Sequence, residues 1–433
     1  MGSDRMTAHQ NSASAEYRDD AKYRRLLLIL LSTATFFEGY DFLLINLVLP
    51  LIQKDFNVSI STLGVSVSII AVGTIVAFLV VRMGDRFGRR PVLQLTIFAY
   101  TLFTACTAFS QGLVSFVVFQ FLARIFLVGE WGLATVMIAE EFPEKSRGMG
   151  IAIVQSMAGL GAVMAGALYP LVAHESFGWR GMYLIGLAPL VLVGIMRSRL
   201  RETVRYVRMK SVSTGDAPSF FLPWKKPYGY YLFWVSMMWI LVYVCYTANQ
   251  VFWVHHVVNG RGWNEQMVSR ALIIAYLLGI SGFYFAGRSL DWLGRKKTAA
   301  LFFGCGTIAT FCAFQTTSVI AITVSLFFMT FFTGAFLPVS SSFTTEIFPT
   351  EIRANSVAWA NNLLGRIGMV GAPAIVGLLA SPLGGVGNAV TMLGLAPILA
   401  ACIVLIVLPE TRWREMTDFM SDGFNKKEEN RSQ

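Results

Sequence analysis

Charge is scarce in this sequence. Only 14% of its 433 residues are Asp, Glu, Lys or Arg, 55% are hydrophobic and the mean hydropathy is +0.59, whereas a soluble domain carries about 25% charged residues. A chain of this composition cannot cover itself with solvated surface, which excludes an ordinary soluble fold and leaves a membrane protein. Cysteine is also sparse. The five residues, at 106, 245, 305, 312 and 402, all fall inside apolar runs without ligand spacing, so no disulfide framework and no metal site is expected. No Ser/His/Asp set, phosphate loop or other catalytic or cofactor-binding constellation is found, and this argues against an enzyme. The first apolar run is a full-length span rather than a short leader, so no cleavable signal is expected.

What the chain does contain is written twice. Gly84-Asp85-Arg86-Phe87-Gly88-Arg89-Arg90 has a near copy in Asp291-Trp292-Leu293-Gly294-Arg295-Lys296-Lys297, and Asp85/Asp291, Gly88/Gly294, Pro143/Pro349 and Arg147/Arg353 all share an offset of 206 residues. Landmarks in register across two loops point to duplicated transmembrane halves. A span needs about 20 mostly apolar residues, and twelve stretches qualify: 27–50, 63–82, 91–110, 114–139, 150–173, 182–196, 230–254, 270–288, 298–315, 319–344, 356–379 and 388–408. The sixth is short and gains length if it starts at Trp179. The expected organisation is a tail (1–25) without regular structure, a six-helix bundle (26–200), a linker (201–229), a second six-helix bundle (230–410) and a tail (411–433). In all, this is an all-α membrane protein of two pseudo-symmetric bundles.

The net charge of +10 is a matter of topology. Of 35 Lys and Arg, 29 lie in the tails and alternate loops, Lys54, Arg180, Arg261 and Arg270 lie on the other side, and Arg124 and Arg366 lie inside spans. This positive-inside asymmetry places both termini in the cytoplasm, with attraction to anionic lipid as an accompaniment, and it removes the case for nucleic-acid binding. A basic segment (Arg197, Arg199, Arg201, Arg205, Arg208, Lys210) is expected to lie along the membrane surface between the halves.

Ionisable residues inside spans are costly and therefore face the protein interior. Glu38 and Asp41 share one face of span 1; they are candidates for proton coupling, the plain alternative being a fixed ion pair between helices. Span 4 carries Arg124 and Glu130. Matching depths suggest an Asp41–Arg124 pair, with Glu130 deeper and available as a proton carrier. The glycines of span 5 (Gly159, Gly161, Gly166) are read as packing residues. In span 7, Tyr243, Tyr246, Gln250 and Trp253 recur on one face; Tyr246, Asn249 and Gln250 are cavity candidates, while Trp253 fits either a cavity or an interfacial belt. His255 and His256 are expected to be solvated at the outer edge. Span 11 contributes Asn362 and Arg366, the latter too deep to snorkel and expected to meet Glu38 or an acidic substrate. In the loops, Asp85 is paired with Arg147 and, by repetition, Asp291 with Arg353; with Arg89, Arg295 and Glu346 these residues form an expected cytoplasmic gate, able to latch one conformation and break in another.

With these residues in view, the chain resembles the major facilitator superfamily over nearly its full length. The loop motif G-x-x-x-D-R/K-x-G-R/K-R/K is read in the second half from Gly287 to Lys296. In the first half Val81 replaces the leading Gly, so that copy is expected to be the looser latch. Glu38-Gly39-Tyr40-Asp41, Gly129-Glu130-Trp131-Gly132, Glu346 to Arg353 and Gly365-Arg366-Ile367-Gly368 look like the metabolite, aromatic-acid and organic-ion branch. Relatives usually carry an Arg where Gln120 stands, and Arg124 stands where they carry a Gly. The drug-exporter glycine–proline motif is missing from span 5. The resemblance implies a secondary transporter working by alternating access. Together with the span residues read above it gives the expectation that Tyr40, Arg124, Tyr243, Tyr246, Asn249, Gln250, Asn362 and Arg366 meet the substrate and that Glu38, Asp41 and Glu130 carry protons, Arg124 being placed by its depth and not by the family pattern. The partners implied are a small organic solute, protons and the bilayer of the cell membrane, for a monomer without cofactor or metal. Two buried Arg favour symport of an organic anion; three buried acids keep a proton-exchanging exporter of cations as the alternative, with a non-transporting membrane sensor more remote.

Overall fold

The computed structural model describes residues 3–142, 144–172, 178–196, 200, 202 and 219–411. Among these all regular structure is helical, as lipid demands, because a helix satisfies its backbone within one segment. The first half comprises spans 1 (Ser3–Asp55), 2 (Ile60–Phe87), 3 (Arg89–Ala108), 4 (Leu113–Glu141), 5 (Glu144–Val172) and 6 (Gly178–Met196). A 3-10 turn, Leu222–Trp224, precedes the second half: span 7 (Tyr228–Arg261), span 8 (Glu265–Gly279 and Ser281–Leu293), span 9 (Arg295–Gln315), span 10 (Val319–Glu346), span 11 (Thr350–Ala380) and span 12 (Val386–Leu393 and Ala396–Ile406). Eleven stretches of the described residues are long and apolar enough to cross a membrane, and the sixth expected span is the helix that opens at Gly178, just ahead of Trp179.

Three features depart from the reading of the sequence. The polar N-terminal stretch is helical from Ser3; residues 3–38 contain neither Gly nor Pro, so nothing in them terminates the helix. Spans 8 and 12 are each divided, at Ile280 and at Gly394-Leu395, and span 11 changes winding to a π-helix over Ala358–Gly365. His255, expected in solvent, is buried. The basic segment from Arg205 to Lys210, Arg197, Arg199 and Arg201, and the tail beyond Thr411 lie outside the described residues.

The duplicated loop is built on a conformation that favours glycine. Gly88 and Gly294 have φ of 104° and 88°, each ending one span and starting the next, and a side chain there would be strained. The packing role read for span 5 holds at its closest point, where a Cβ on Gly161 would stand 1.8 Å from the Phe36 carbonyl oxygen of span 1.

Spans 1, 2 and 5 of the first half meet spans 7, 11 and 8 of the second. We use outer for the end bearing Lys54 and Arg261, as the positive-inside asymmetry expects, and inner for the other. Toward the outer end one buried core joins both halves, with Leu47, Ile52 and Phe116 against Trp253, Val257 and Phe314. Toward the inner end the cores are separate: Leu27, Val80, Met137 and Leu200 belong to one, Leu232, Phe303, Phe343 and Leu408 to the other. Among the described residues, the buried core that seals the halves together is thus the outer one. At the sealed end Gln53 Oε1 lies 2.7 Å from His255 Nε2 and accepts from Asn259 Nδ2 at 3.3 Å, so His255 bridges the halves rather than facing water.

Candidate functional site

In the first half the polar residues of the centre gather around Asp41. Span 1 brings Asp41 and Glu38, span 3 Tyr100, span 4 Arg124 and Glu130, and span 6 Tyr183, all of them buried. Arg124 acts electrostatically on Asp41, Tyr100 and Tyr183, and Tyr100 is close enough to feel Asp41, Glu38 and Glu130 together. The expected Asp41–Arg124 neighbourhood is therefore present, although among the described residues Arg124 forms no ion pair. Its guanidinium packs 5.0 Å from the Phe42 ring centroid, and Nη1 is buried without a hydrogen-bond partner. The Tyr183 hydroxyl is likewise buried without a hydrogen-bond partner, while that of Tyr100 is buried beside the Asp41 carboxylate, within reach of a hydrogen bond. Neither tyrosine was among the expected site residues, because an aromatic in an apolar run carries no periodic signal that separates it from core.

Tyr40 lies near enough to feel Asp41 but is held by other contacts. Its hydroxyl donates to the Met182 carbonyl at 2.6 Å and its ring lies against Gly186, so it packs span 1 on span 6. A residue next to Asp41 in sequence points some 100° away around the helix.

The second half offers phenols and amides. Tyr243 donates to Asn361 Oδ1 at 2.7 Å and lies beside Arg366; Tyr276 donates to Gln250 Oε1 at 2.5 Å, with Tyr246 next to both tyrosines. Asn249 turns the other way and donates to Thr310 at 2.8 Å. Asn362 makes no hydrogen bond among the described residues, and the amide beside Tyr243 is its neighbour Asn361. Both lie in the π-helical stretch, whose residues do not follow α-helical spacing. Trp253 is buried against Trp263 with ring centroids 5.8 Å apart, so it does not stand in an interfacial belt. Arg366 donates from Nη1 to the Thr74 carbonyl of span 2 at 3.0 Å, while Nε is buried without a partner. It forms no ion pair among the described residues, so the expected contact with Glu38 is not made. Arg124 approaches the same turn of span 2, where its Cβ would lie 3.2 Å from a Cβ on Gly73.

At the inner loops the duplication is chemical as well as positional. Glu202 accepts from the backbone amides of Arg89 (2.8 Å) and Arg90 (3.2 Å), and Glu410 from those of Arg295 (2.8 Å) and Lys296 (3.0 Å). Each carboxylate caps a helix N-terminus, where the unpaired amides favour an anion. Arg89 Nη1 donates to the Gly84 carbonyl and Arg295 Nη1 to that of Leu290, positions again 206 apart. Arg295 grips Glu346 with two bonds of 3.0 Å, from Nε to Oε2 and from Nη2 to Oε1, and Thr411 donates to the same carboxylate. The expected Asp291–Arg353 pair is not formed here: Asp291 makes no ion pair among the described residues, and Arg353 Nε donates to the Phe348 carbonyl at 3.2 Å. The side chains of Asp85 and Arg147 lie outside the described residues. Glu202 and Glu410 escaped the sequence reading, although Leu200-Arg201-Glu202-Thr203 and Leu408-Pro409-Glu410-Thr411 form a second repeat, offset by 208.

The model of one family, the Major Facilitator Superfamily, matches residues 31–373. The chain belongs to the Major Facilitator Superfamily. Among curated proteins it is similar to the niacin transporter NiaP of Acinetobacter baylyi, 25% identical over 426 residues covering 91% of this chain and 96% of that protein. It is also similar to the cis,cis-muconate transport protein of the same organism, 25% identical over 387 residues covering 87% and 92%. Among solved structures, an inward-open conformation of the xylose transporter XylE from E. coli superposes with a TM-score of 0.76 at 18% identity, covering 92% of this chain and 99% of that one. The two six-helix halves are those of the superfamily, and the chain is a multi-pass secondary transporter rather than an enzyme. Its loop copies each depart from the superfamily motif at one place: Val81 for the leading Gly, and Trp292 at the first basic position of the second copy. Gln120, where relatives usually carry Arg, donates to Thr107 at 3.1 Å inside the first half, which leaves Arg124 as the cation beside Asp41.

Proposed function

We propose that this transporter carries a small organic carboxylate inward together with protons, by alternating access of a site between the halves. The observation that carries the reading is the state of its two intramembrane arginines. Arg124 is buried and Arg366 half-buried, neither is ion-paired among the described residues, and each keeps a buried nitrogen without a hydrogen-bond partner. An arginine so placed is costly unless it meets an anion, and its planar fork suits a carboxylate. The carboxylate groups of Asp41, Glu38 and Glu130, with the Tyr100 hydroxyl among them, are suited to hold the accompanying protons, because buried acids near a cation change proton affinity as the surroundings change. Neutral Tyr243, Asn361, Gln250 and Tyr276 supply hydrogen bonds and ring contacts for the body of the substrate. The curated relatives are named for niacin and cis,cis-muconate, both carboxylates in keeping with this chemistry. The same proposal has both termini in the cytoplasm, the protein in the cell membrane, and a monomer as the working unit.

The test is uptake into proteoliposomes under an imposed pH gradient, with labelled nicotinate, cis,cis-muconate, gentisate and 4-hydroxybenzoate set against a panel of organic cations. Carboxylate accumulation that follows outside acidification and collapses with a protonophore is expected. Proton-gradient-driven movement of a cation in the opposite direction, with no carboxylate uptake, would show the three acids to be the substrate's partners and overturn the reading.

A further inference from the structure

Spans 2 and 11 run antiparallel across the junction of the halves, and their separation changes along its length. At the outer end the backbones touch: a Cβ on Gly64 would lie 2.4 Å from the Pro373 carbonyl oxygen, and Ser68 Oγ accepts from the Ala374 amide at 2.8 Å. Midway, Arg366 reaches the Thr74 carbonyl. Further inward the next side chains, Phe78 and Trp359, are separated by a third ring supplied by the linker. Phe220 stacks on Phe78 with centroids 5.6 Å apart at 29° and on Trp359 at 4.9 Å and 28°, while the Arg82 guanidinium covers Phe220 at 5.3 Å. Trp359 is held on further sides by Phe221 at 5.6 Å and by the edge of Trp224 at 5.5 Å. Its Nε1 donates to the Phe220 carbonyl at 2.9 Å.

Trp359 is the second residue of the π-helical stretch Ala358–Gly365, which carries Asn361 and leads directly into Arg366. A π-helix is rare and needs its surroundings to hold it. We propose that the linker segment Ser219–Trp224 is a clasp that holds this winding and thereby positions Asn361 and Arg366 toward the substrate, with Phe220 and Trp359 as its positioning residues. The proposal rests on the reading of Arg366 as a substrate-binding residue. The physical link is short: removing the Trp359 N–H or the Phe220 ring frees the start of the π-helix, and a turn that relaxes toward α-helical winding rotates Asn361 away from Tyr243 and shifts the Arg366 fork. Because Phe220 is also the only ring found between Phe78 and Trp359 among the described residues, it sets the inner spacing of spans 2 and 11.

The experiment uses the full-length protein and two readouts. Hydrogen–deuterium exchange of Trp359→Phe and Phe220→Ala is expected to be about 10-fold faster over residues 358–366 and unchanged over 230–254, as loss of one hydrogen bond or one ring stack opens a local segment. With radiolabelled nicotinate as the probe in proteoliposomes, KM is expected to rise about 5-fold with Vmax within about 2-fold at matched incorporation, the loss of a positioning contact rather than of the fold. Phe220→Tyr, which keeps the ring, is expected to restore both values. Unchanged exchange in both variants overturns the clasp, and so does faster exchange with an unchanged KM or a Tyr variant as impaired as Ala. An Arg366→Gln variant run alongside separates the two ideas: wild-type KM there removes Arg366 from the substrate site, whereas loss of uptake there with unaltered Trp359→Phe and Phe220→Ala removes the clasp alone.

Discussion

The two halves agree at their inner loops and differ at their centres. In both, a glutamate from the segment after the last helix caps the helix behind the loop glycine, and an arginine folds back on a carbonyl of the preceding span. At mid-membrane the first half places three acids, one arginine and two buried phenols, whereas the second places neutral phenols and amides around a single arginine. The repeat persists at the inner loops, where the same backbone contacts recur, and is lost at the centre, where the two halves carry different side chains. Charge that can be neutralised by a proton sits on one side of the junction; hydrogen-bonding shape sits on the other.

The largest effect should come from the one feature the centres share. Arg124→Gln and Arg366→Gln are each expected to lower the initial rate of carboxylate uptake by about 100-fold or more, since a buried bidentate cation–carboxylate contact is worth several kcal/mol. Lysine should rescue neither, because an ammonium lacks the fork, and at position 366 it would also weaken the bond to Thr74. Initial rates in proteoliposomes at matched incorporation check this. Loss at Arg366 with near wild-type uptake in Arg124→Gln would place the anion site in the second half alone and leave the first half as the proton-handling side.

A smaller effect is expected at Tyr100, which sharpens the same division. Its hydroxyl lies among Asp41, Glu38 and Glu130 and is fully buried. Tyr100→Phe keeps the ring and removes only the hydroxyl, so pH-driven accumulation should fall about 10-fold while carboxylate counterflow without a gradient stays within about 2-fold, the loss of one hydrogen-bonding group among charges. Equal losses in both assays would make Tyr100 a residue of substrate passage or packing and detach it from the protons.

The sequence made the architecture legible because its signals are repeated over long stretches: apolar length, loop charge and a 206-residue offset require no side-chain geometry. The inward facing of Asp41, Arg124, Tyr243, Gln250 and Arg366 was also legible, since polar groups in an apolar helix have few places to face. The neighbours that the sequence did not reveal share a cause. Tyr40, Asn249 and Asn362 were placed by adjacency or by α-helical spacing, and rotation about a helix, or a change of winding to a π-helix, moves a side chain to another neighbour without altering the apolar pattern. Tyr100, Tyr183 and Phe220 were missed because an aromatic in a hydrophobic chain reads as packing until its neighbours are known. Glu202 and Glu410 were missed for a different reason: their partners are backbone amides, which leave no trace in residue type.

The smallest effect tests whether the loops are as alike as they look. Glu202→Gln and Glu410→Gln each retain a group that can accept from one amide but remove the charge that complements a helix N-terminus, worth about 0.3–1 kcal/mol. Each should lower the melting temperature of the purified protein by about 1–2 °C, as expected for a large domain, and the double variant should show the sum, because the two carboxylates cap helices in different halves. Uptake should change little, since each carboxylate joins parts of the same half and is not asked to break when the halves separate. A fall in melting temperature confined to Glu410→Gln would mean that the second loop, with Arg295, Glu346 and Thr411 already tied together, carries the structural load. A change in uptake larger than the change in stability would instead place these caps in the moving parts, so that the loops differ in mechanism where they agree in geometry.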